Sequence, residues 1–255
     1  MLLASLPIPT TASDTPSPET LRATLADPFR VDFVEVDLGT PDILEGPFDV
    51  EVYADSFRLD AKTRETLINE LNKQGFVGGY ARTWYTPGST TVWMAEGILV
   101  FRADAGATSA RLSSKVHYAT DKGFGRFVDT GDIPQSFALA YQGPDGFRWT
   151  VVVFSKGNDL FVIIFGSAAD YMTESALGQA TKEYRLAPDR TSARPAQPSH
   201  RPNALASGVG FATALVVFLL LMVALGSVVG AGIWVLNSRS RPDPAQSGNV
   251  GADRS

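Results

Sequence analysis

The chain has 255 residues, a formal net charge of −5 and no cysteine. Its Lys and Arg are scattered singly, which argues against a nucleic-acid partner, because phosphate binding needs clustered basic side chains. Without cysteine there is no disulfide, thiolate metal site, cysteine nucleophile or thioether lipid anchor.

Met1 to Ser13 starts apolar and carries small residues at Thr11 and Ser13, but has no basic lead and only a short apolar run. Two readings fit: a secretory signal whose beginning is missing, or a disordered tail on a protein targeted by its C-terminal segment. Ser17-Pro18-Glu19 then reads as a helix N-cap followed by Pro at the first helical position, opening a short N-terminal appendage that ends before Pro28. Residues 31–38 alternate as an edge strand, and Pro41 and Pro47 interrupt the segment after it. A longer helix starts near Asp60, places Leu67, Ile68 and Leu71 on one face and stops at Gly75.

From Gly75 the pattern changes to hairpins. Residues 76–85 and 90–102 are β-rich runs joined through Pro87-Gly88, and 104–118 reads as an Ala-rich helix. A second block comes next, with strands at 136–142, 147–155 and 159–167. It closes in a helix over 168–183 with Ala169, Met172, Ala176, Leu177 and Ala180 on one stripe. In both blocks a strand runs straight into a small-residue helix, which suggests a degenerate internal repeat. Hairpins followed by helices predict an α+β fold, a two-layer antiparallel sheet with helices on one face, plus one C-terminal transmembrane helix. Val151, Val153, Leu160, Val162 and Ile164 are expected to point into the core.

The run GDIPQSFALAYQGPDGFRWTVVVFSKGNDLFVIIF orders Asp-Ile-Pro, a strand, a Gly-rich turn, a strand ending Phe-Ser-Lys-Gly-Asn and another apolar strand. It resembles uncharacterised extracytoplasmic domains of actinobacterial envelope proteins, related in shape to sensor-domain and PsbP-like α/β sandwiches. The resemblance covers roughly residues 60 to 185. It implies secretion and no known catalysis. The lipobox cysteine of lipoprotein members is missing, which leaves the C-terminal helix as the anchor.

Residues 187–203 hold four prolines and no apolar period, the composition of an extended tether. Residues 202 to 238 then carry no charged side chain, and the 26 residues from Phe211 to Leu236 read as one transmembrane helix. About 20 apolar residues cross the roughly 30 Å hydrocarbon layer, so this stretch spans with some tilt. Arg239 and Arg241 abut its end, which places the C-terminus in the cytoplasm. The expected organisation is 1–16 a truncated signal or disordered tail, 17–186 an extracytoplasmic α+β domain, 187–206 a Pro-rich linker, 207–236 the membrane helix, and 237–255 a short cytoplasmic tail.

Candidate chemistry is sparse, and no catalytic, cofactor or metal residues are assigned. Ser113, Ser114, His117 and Asp121 lack the G-x-S-x-G context of a hydrolase nucleophile. Asp129, Asp132 and Asp145 read as turn caps, since no run supplies alternating Ca²⁺ ligands. The glycines of Phe76 to Tyr80 lack dinucleotide-loop spacing. Tyr80, Trp84, Trp93 and Trp149, with Tyr85, either line an apolar or carbohydrate-stacking groove or fill the core. Gly226 and Gly230 form a GxxxG face suited to helix self-association in the lipid bilayer. The expectation is a single-pass, non-enzymatic envelope protein in the cell membrane that binds a small ligand or a protein partner, with a homodimer as one form. The alternative is a cytosol-facing, tail-anchored accessory or scaffold subunit.

Overall fold

The computed structural model describes residues 16–36, 44–57, 59–87, 92–120, 123–143 and 146–190. Ser17 caps α1 (Pro18–Thr24), its hydroxyl accepting from the Thr20 amide, as the Ser-Pro pair predicts. β1 (Val34–Val36) and β2 (Gly46–Phe48) both pair with the same side of β3 (Phe76–Tyr85). Pro47 is tolerated there because β2 is an edge strand. Between β2 and β3 lie α2 (Val50–Asp55) and α3 (Ala61–Gln74). Asp60 caps α3 by accepting from the Lys62 and Thr63 amides, and Gly75 ends it at φ 79°, a conformation glycine adopts without strain.

β3 turns back into β4 (Val92–Phe101), which runs into α4 (Asp104–Tyr118). β5 (Phe124–Val128), β6 (Ser136–Gln142), β7 (Arg148–Lys156) and β8 (Asp159–Ser167) come next, then α5 (Thr173–Leu186). The sheet is antiparallel throughout, in the order β1-β3-β4-β8-β7-β6-β5, with β2 beside β1 on β3. The expected long strands and the helices from 61 and 104 stand where the sequence places them.

The helices do not share one face. Val151, Val153, Leu160, Val162 and Ile164 pack as expected with Tyr53 of α2, Leu67 and Leu71 of α3, and Ala107 and Ala110 of α4. The alternate residues Val152, Phe154, Phe161, Ile163 and Phe165 build a second core with Leu21 of α1 and Ala176 and Ala180 of α5. The architecture is therefore three layers, α/β/α, instead of two. The physical reason lies in β7 and β8: both parities are apolar, and a strand that is apolar on both faces has to be covered on both. Each fully buried Val, Leu, Ile or Phe contributes about 1.5–3 kcal/mol, so leaving one face to water would forfeit much of the stability. For the same reason α1 is no appendage, since Leu21 and Leu25 are part of the second core.

Two further expectations are corrected. The hairpins β3–β4 and β7–β8 stand either side of the β4–β8 seam, as a repeat requires. Rotation about the sheet normal would carry both following helices to one face, yet α4 and α5 pack on opposite faces. The shared order is thus not a structural repeat. α5 begins at Thr173, not 168, because Ser167 and Asp170 turn the preceding segment: Ser167 Oγ accepts from the Ala169 amide at 3.0 Å, and Asp170 Oδ1 from the Met172 amide at 2.9 Å.

The chain stays packed past residue 186. Asn158 N donates to Arg190 O at 2.9 Å, Arg190 Nη2 donates to Thr24 Oγ1 at 2.8 Å, and Ala187 is buried. The folded unit accordingly reaches Arg190. The expected membrane helix with Gly226 and Gly230, the N-terminal segment before Pro16, the Pro87-Gly88 turn at Gly88, and the tail lie outside the described residues. Among the described residues no helix is long and apolar enough to cross a membrane.

Candidate functional site

The four aromatic residues expected to share a groove are all buried, and the sheet separates them. Tyr80 and Trp84 of β3 belong to the second core, while Trp93 and Trp149 belong to the first. Alternation along a strand fixes this, and only the strand register shows which pair meets. On the first face the register draws a cross-strand row: Phe124 opposite Tyr141, Tyr141 opposite Trp149, Trp149 opposite Gly166, Gly166 opposite Trp93, and Trp93 opposite Tyr85. Tyr85 stacks on Trp93 with ring centroids 5.6 Å apart, and Phe147 packs against Trp149 at 4.8 Å. Gly166 is the gap that lets Trp149 fold over the sheet, since a Cβ there would overlap its ring. The indole N–H groups of Trp93 and Trp149 are buried and have no acceptor among the described residues. An unmet buried donor costs about 1–3 kcal/mol, so this pair stands out.

On the other face the structure assembles a polar network that no sequence motif announces. Arg82 of β3, 8% exposed, chelates Glu35 through Nε at 3.0 Å and Nη2 at 2.9 Å, and reaches Asp27 through Nη1 at 3.1 Å. Its guanidinium lies 4.6 Å over the Trp84 ring. These hydrogen bonds hold the Glu35 carboxyl below the usual carboxylate range. Arg22 of α1 adds a second cation to Glu35 at 3.2 Å and donates to the Tyr80 hydroxyl.

Residues 25–33, between α1 and β1, lie across this network as a strap and are fastened to α5. Ala26 N donates to Glu183 Oε2 at 2.6 Å and Phe29 N to Gln179 Oε1 at 2.9 Å. Gln179 Nε2 donates to the Ala26 and Asp27 carbonyls at 3.3 and 3.2 Å, and Lys182 Nζ donates to the Asp27 carbonyl at 2.8 Å. Beneath stands Glu96 of β4, 2% exposed, with neither carboxyl oxygen hydrogen-bonded. Burial, and then the neighbouring Glu183, push Glu96 well above the usual carboxylate range, so it stands as a neutral acid. Burial also pushes Glu183 up to about 7, against the opposing pull of the Ala26 amide. Such a pair stores a proton near neutral pH.

The remaining sequence candidates scatter. Ser114 donates to the Ala110 carbonyl at 2.6 Å inside α4, as a helical serine does. The His117 side chain, Asp121 and Asp145 lie outside the described residues. Asp129 Oδ1 accepts from the Gly131 amide at 3.0 Å, the turn-capping role expected of it. Among the described residues no group of three His, Cys, Asp or Glu is placed to hold a metal ion.

No family model matches the chain, and no curated protein matches it. Among solved structures it is similar to the extracellular domain of PknH from Mycobacterium tuberculosis, at 13% identity and a TM-score of 0.43, covering 66% of this chain and 95% of that one. A likeness of that degree assigns neither ligand nor partner to this chain.

Proposed function

We propose that the chain is a single-pass, membrane-anchored binding protein without catalytic activity, its α/β/α domain displayed on the outer side of the membrane. One observation carries the reading: the packed domain ends at Arg190 and leads through a Pro-rich stretch into residues 202–238, which hold no charged side chain. Arg239 and Arg241 at the far end support a cytoplasmic C-terminus and hence an outward domain. For binding, the Trp93–Gly166–Trp149 row is the favoured place. Two buried indole donors without a protein acceptor suit a flat ligand that brings carbonyl or hydroxyl oxygens, a sugar ring included.

Protease added to intact spheroplasts tests the topology. Cleavage in the tether that releases the domain is the expected result, and full protection until permeabilisation overturns the outward orientation. The binding half is tested by the ¹⁵N-indole resonances of Trp93 and Trp149 on addition of an N-acetylglucosamine trisaccharide. Both are expected to shift while that of Trp84 stays in place; shifts confined to Trp84 would move the site to the other face.

A further inference from the structure

We propose that residues 25–33 form a proton-controlled strap, closed over the second core while the buried Glu183–Glu96 pair holds its protons and released from α5 when Glu183 gives its proton up. The geometry concentrates the fastening on one face of α5. Gln179, Lys182 and Glu183, at helical spacing i, i+3 and i+4, make all the hydrogen bonds that tie Ala26, Asp27 and Phe29 to the helix. Glu183 is the titratable member that is wholly buried, and behind it lies a second carboxyl with no hydrogen bond of its own.

The charged and titratable groups that face this pair decide the sign. From β3 come Arg82 and Tyr80, from the strap Asp27, from β1 Glu35, from α1 Arg22 and from α5 Lys182. Arg82 directs its hydrogen bonds to Glu35 and Asp27, and Lys182 reaches the Asp27 carbonyl, so none of these cations is hydrogen-bonded to Glu96 or Glu183. β7 and β8 present only Val152, Ile163 and Phe165 on this face.

In the closed form Glu183 holds its proton up to about pH 7, because burial penalises the carboxylate. Once the strap lifts, water reaches the carboxyl and its ordinary value of 4.5 returns. A raised value in the closed form means that closure is fully supported below the ordinary value and is lost as pH rises through the closed-form value. The strap is therefore tight in mild acid and loosens between about pH 4.5 and 7, by roughly tenfold per unit. Glu35, held low by Arg82, titrates beneath that window and opposes closure only in stronger acid. Lifting the strap draws Phe29 and Phe33 away from Phe165, on which they pack at 6.4 and 5.9 Å, and uncovers Tyr80 and Trp84.

Hydrogen exchange of the Ala26 and Phe29 amides, measured on the full chain in detergent micelles and expressed as protection factors, tests this. From pH 5 to pH 7.5 protection in the wild type is expected to fall on the order of 100-fold. In Glu183→Gln, whose amide oxygen still accepts from Ala26, it is expected to stay level. Gln179→Ala is expected to lower protection at every pH while keeping the slope. A level wild-type profile, or the same fall in Glu183→Gln, overturns the proposal. Should Glu183→Gln fail to fold, the ¹³C carboxyl titration of Glu183 in the wild type decides instead. Its midpoint coincides with the loss of protection if the strap is proton-controlled, and separate midpoints refute it.

Discussion

Arg82 and Glu96 stand directly opposite each other on β3 and β4, and no hydrogen bond joins them. Opposed residues of an antiparallel pair share a face, so the shortest partner for either charge is the other. Arg82 instead turns outward to Asp27 and Glu35, which pins the strap and leaves Glu96 as a neutral acid against α5. The cation is thus used to fasten a loop rather than to neutralise the buried acid.

Replacement of Arg82 by Leu measures that fastening. Leu keeps an apolar contact with Trp84 and removes every bond to Asp27 and Glu35. Loss of a buried pair costs as much as about 3–5 kcal/mol when the orphaned charge stays buried. Here Asp27 is 80% and Glu35 37% exposed, so both hydrate, and a smaller cost of about 1–3 kcal/mol is expected. Urea unfolding gives the value; Arg82→Lys should fall between, because an ammonium does not form the two-oxygen fork. Equal stability of Arg82→Leu and wild type would mean the strap is held by α5 alone.

Much of the fold was legible because several elements announce themselves locally. Asp60 and Gly75 bracket α3 with a cap at each end, and the runs of β7 and β8 are too apolar for anything but central strands. The same runs hold the clue to the second layer, since Val152, Phe154, Phe161, Ile163 and Phe165 are as apolar as the residues between them. Short elements escaped. α2 has six residues and shows no full helical period, β2 contains Pro47, and the FGRFV of β5 is mostly exposed. Of the aromatic candidates, Trp93 and Trp149 come together and Tyr80 and Trp84 do not join them, a division only the register decides. Glu96, Gln179 and Glu183 sit on separate elements without motif spacing. The one available signal was Glu96 itself, a lone acid inside the apolar run of β4.

Gly166→Ala tests the aromatic row. The added methyl enters space held by the Trp149 ring, which has to leave its place between Phe147 and Tyr141. Overpacking of this kind costs about 1–3 kcal/mol. The expected signature is a lower melting temperature together with altered near-ultraviolet circular dichroism from the displaced indole. A variant that melts like the wild type would show that Trp149 is free to swing aside.

For the segment beyond the described domain, the GxxxG spacing of Gly226 and Gly230 leads to a prediction in lipid. Small residues one turn apart let two helix backbones touch, where hydrophobic burial adds little. Gly230→Leu is expected to weaken self-association by about 1–2 kcal/mol and Leu220→Ala to matter less, read by crosslinking of the isolated segment. An equal response to both, or no wild-type association, would make the segment an anchor alone.

The last packed residue offers a test with a defined pH sign. Asp159, at the start of β8, is fully buried, and Arg190 Nε lies 3.6 Å from its Oδ2, beyond a good hydrogen bond. Burial pushes the Asp159 carboxyl up to about 6, and the Arg190 charge only partly draws it back. With the folded value above the ordinary 3.8, the group's contribution to stability is complete below that value and is lost as pH rises through about 6. Asp159→Asn removes the titration. A pKa that differs by one between the folded and unfolded chain corresponds to about 1.4 kcal/mol, so at pH 7.5 the variant is expected to exceed the wild type by about 1–3 kcal/mol, the gap closing toward pH 4. Arg190→Ala, which takes away the opposing charge, should move the midpoint of that loss to higher pH and weaken the docking of residues 187–190. Urea unfolding of the three proteins at pH 4.5, 6 and 7.5 gives the answer. If Asp159→Asn is the less stable protein at pH 7.5, the Arg190 pair outweighs the burial of its partner.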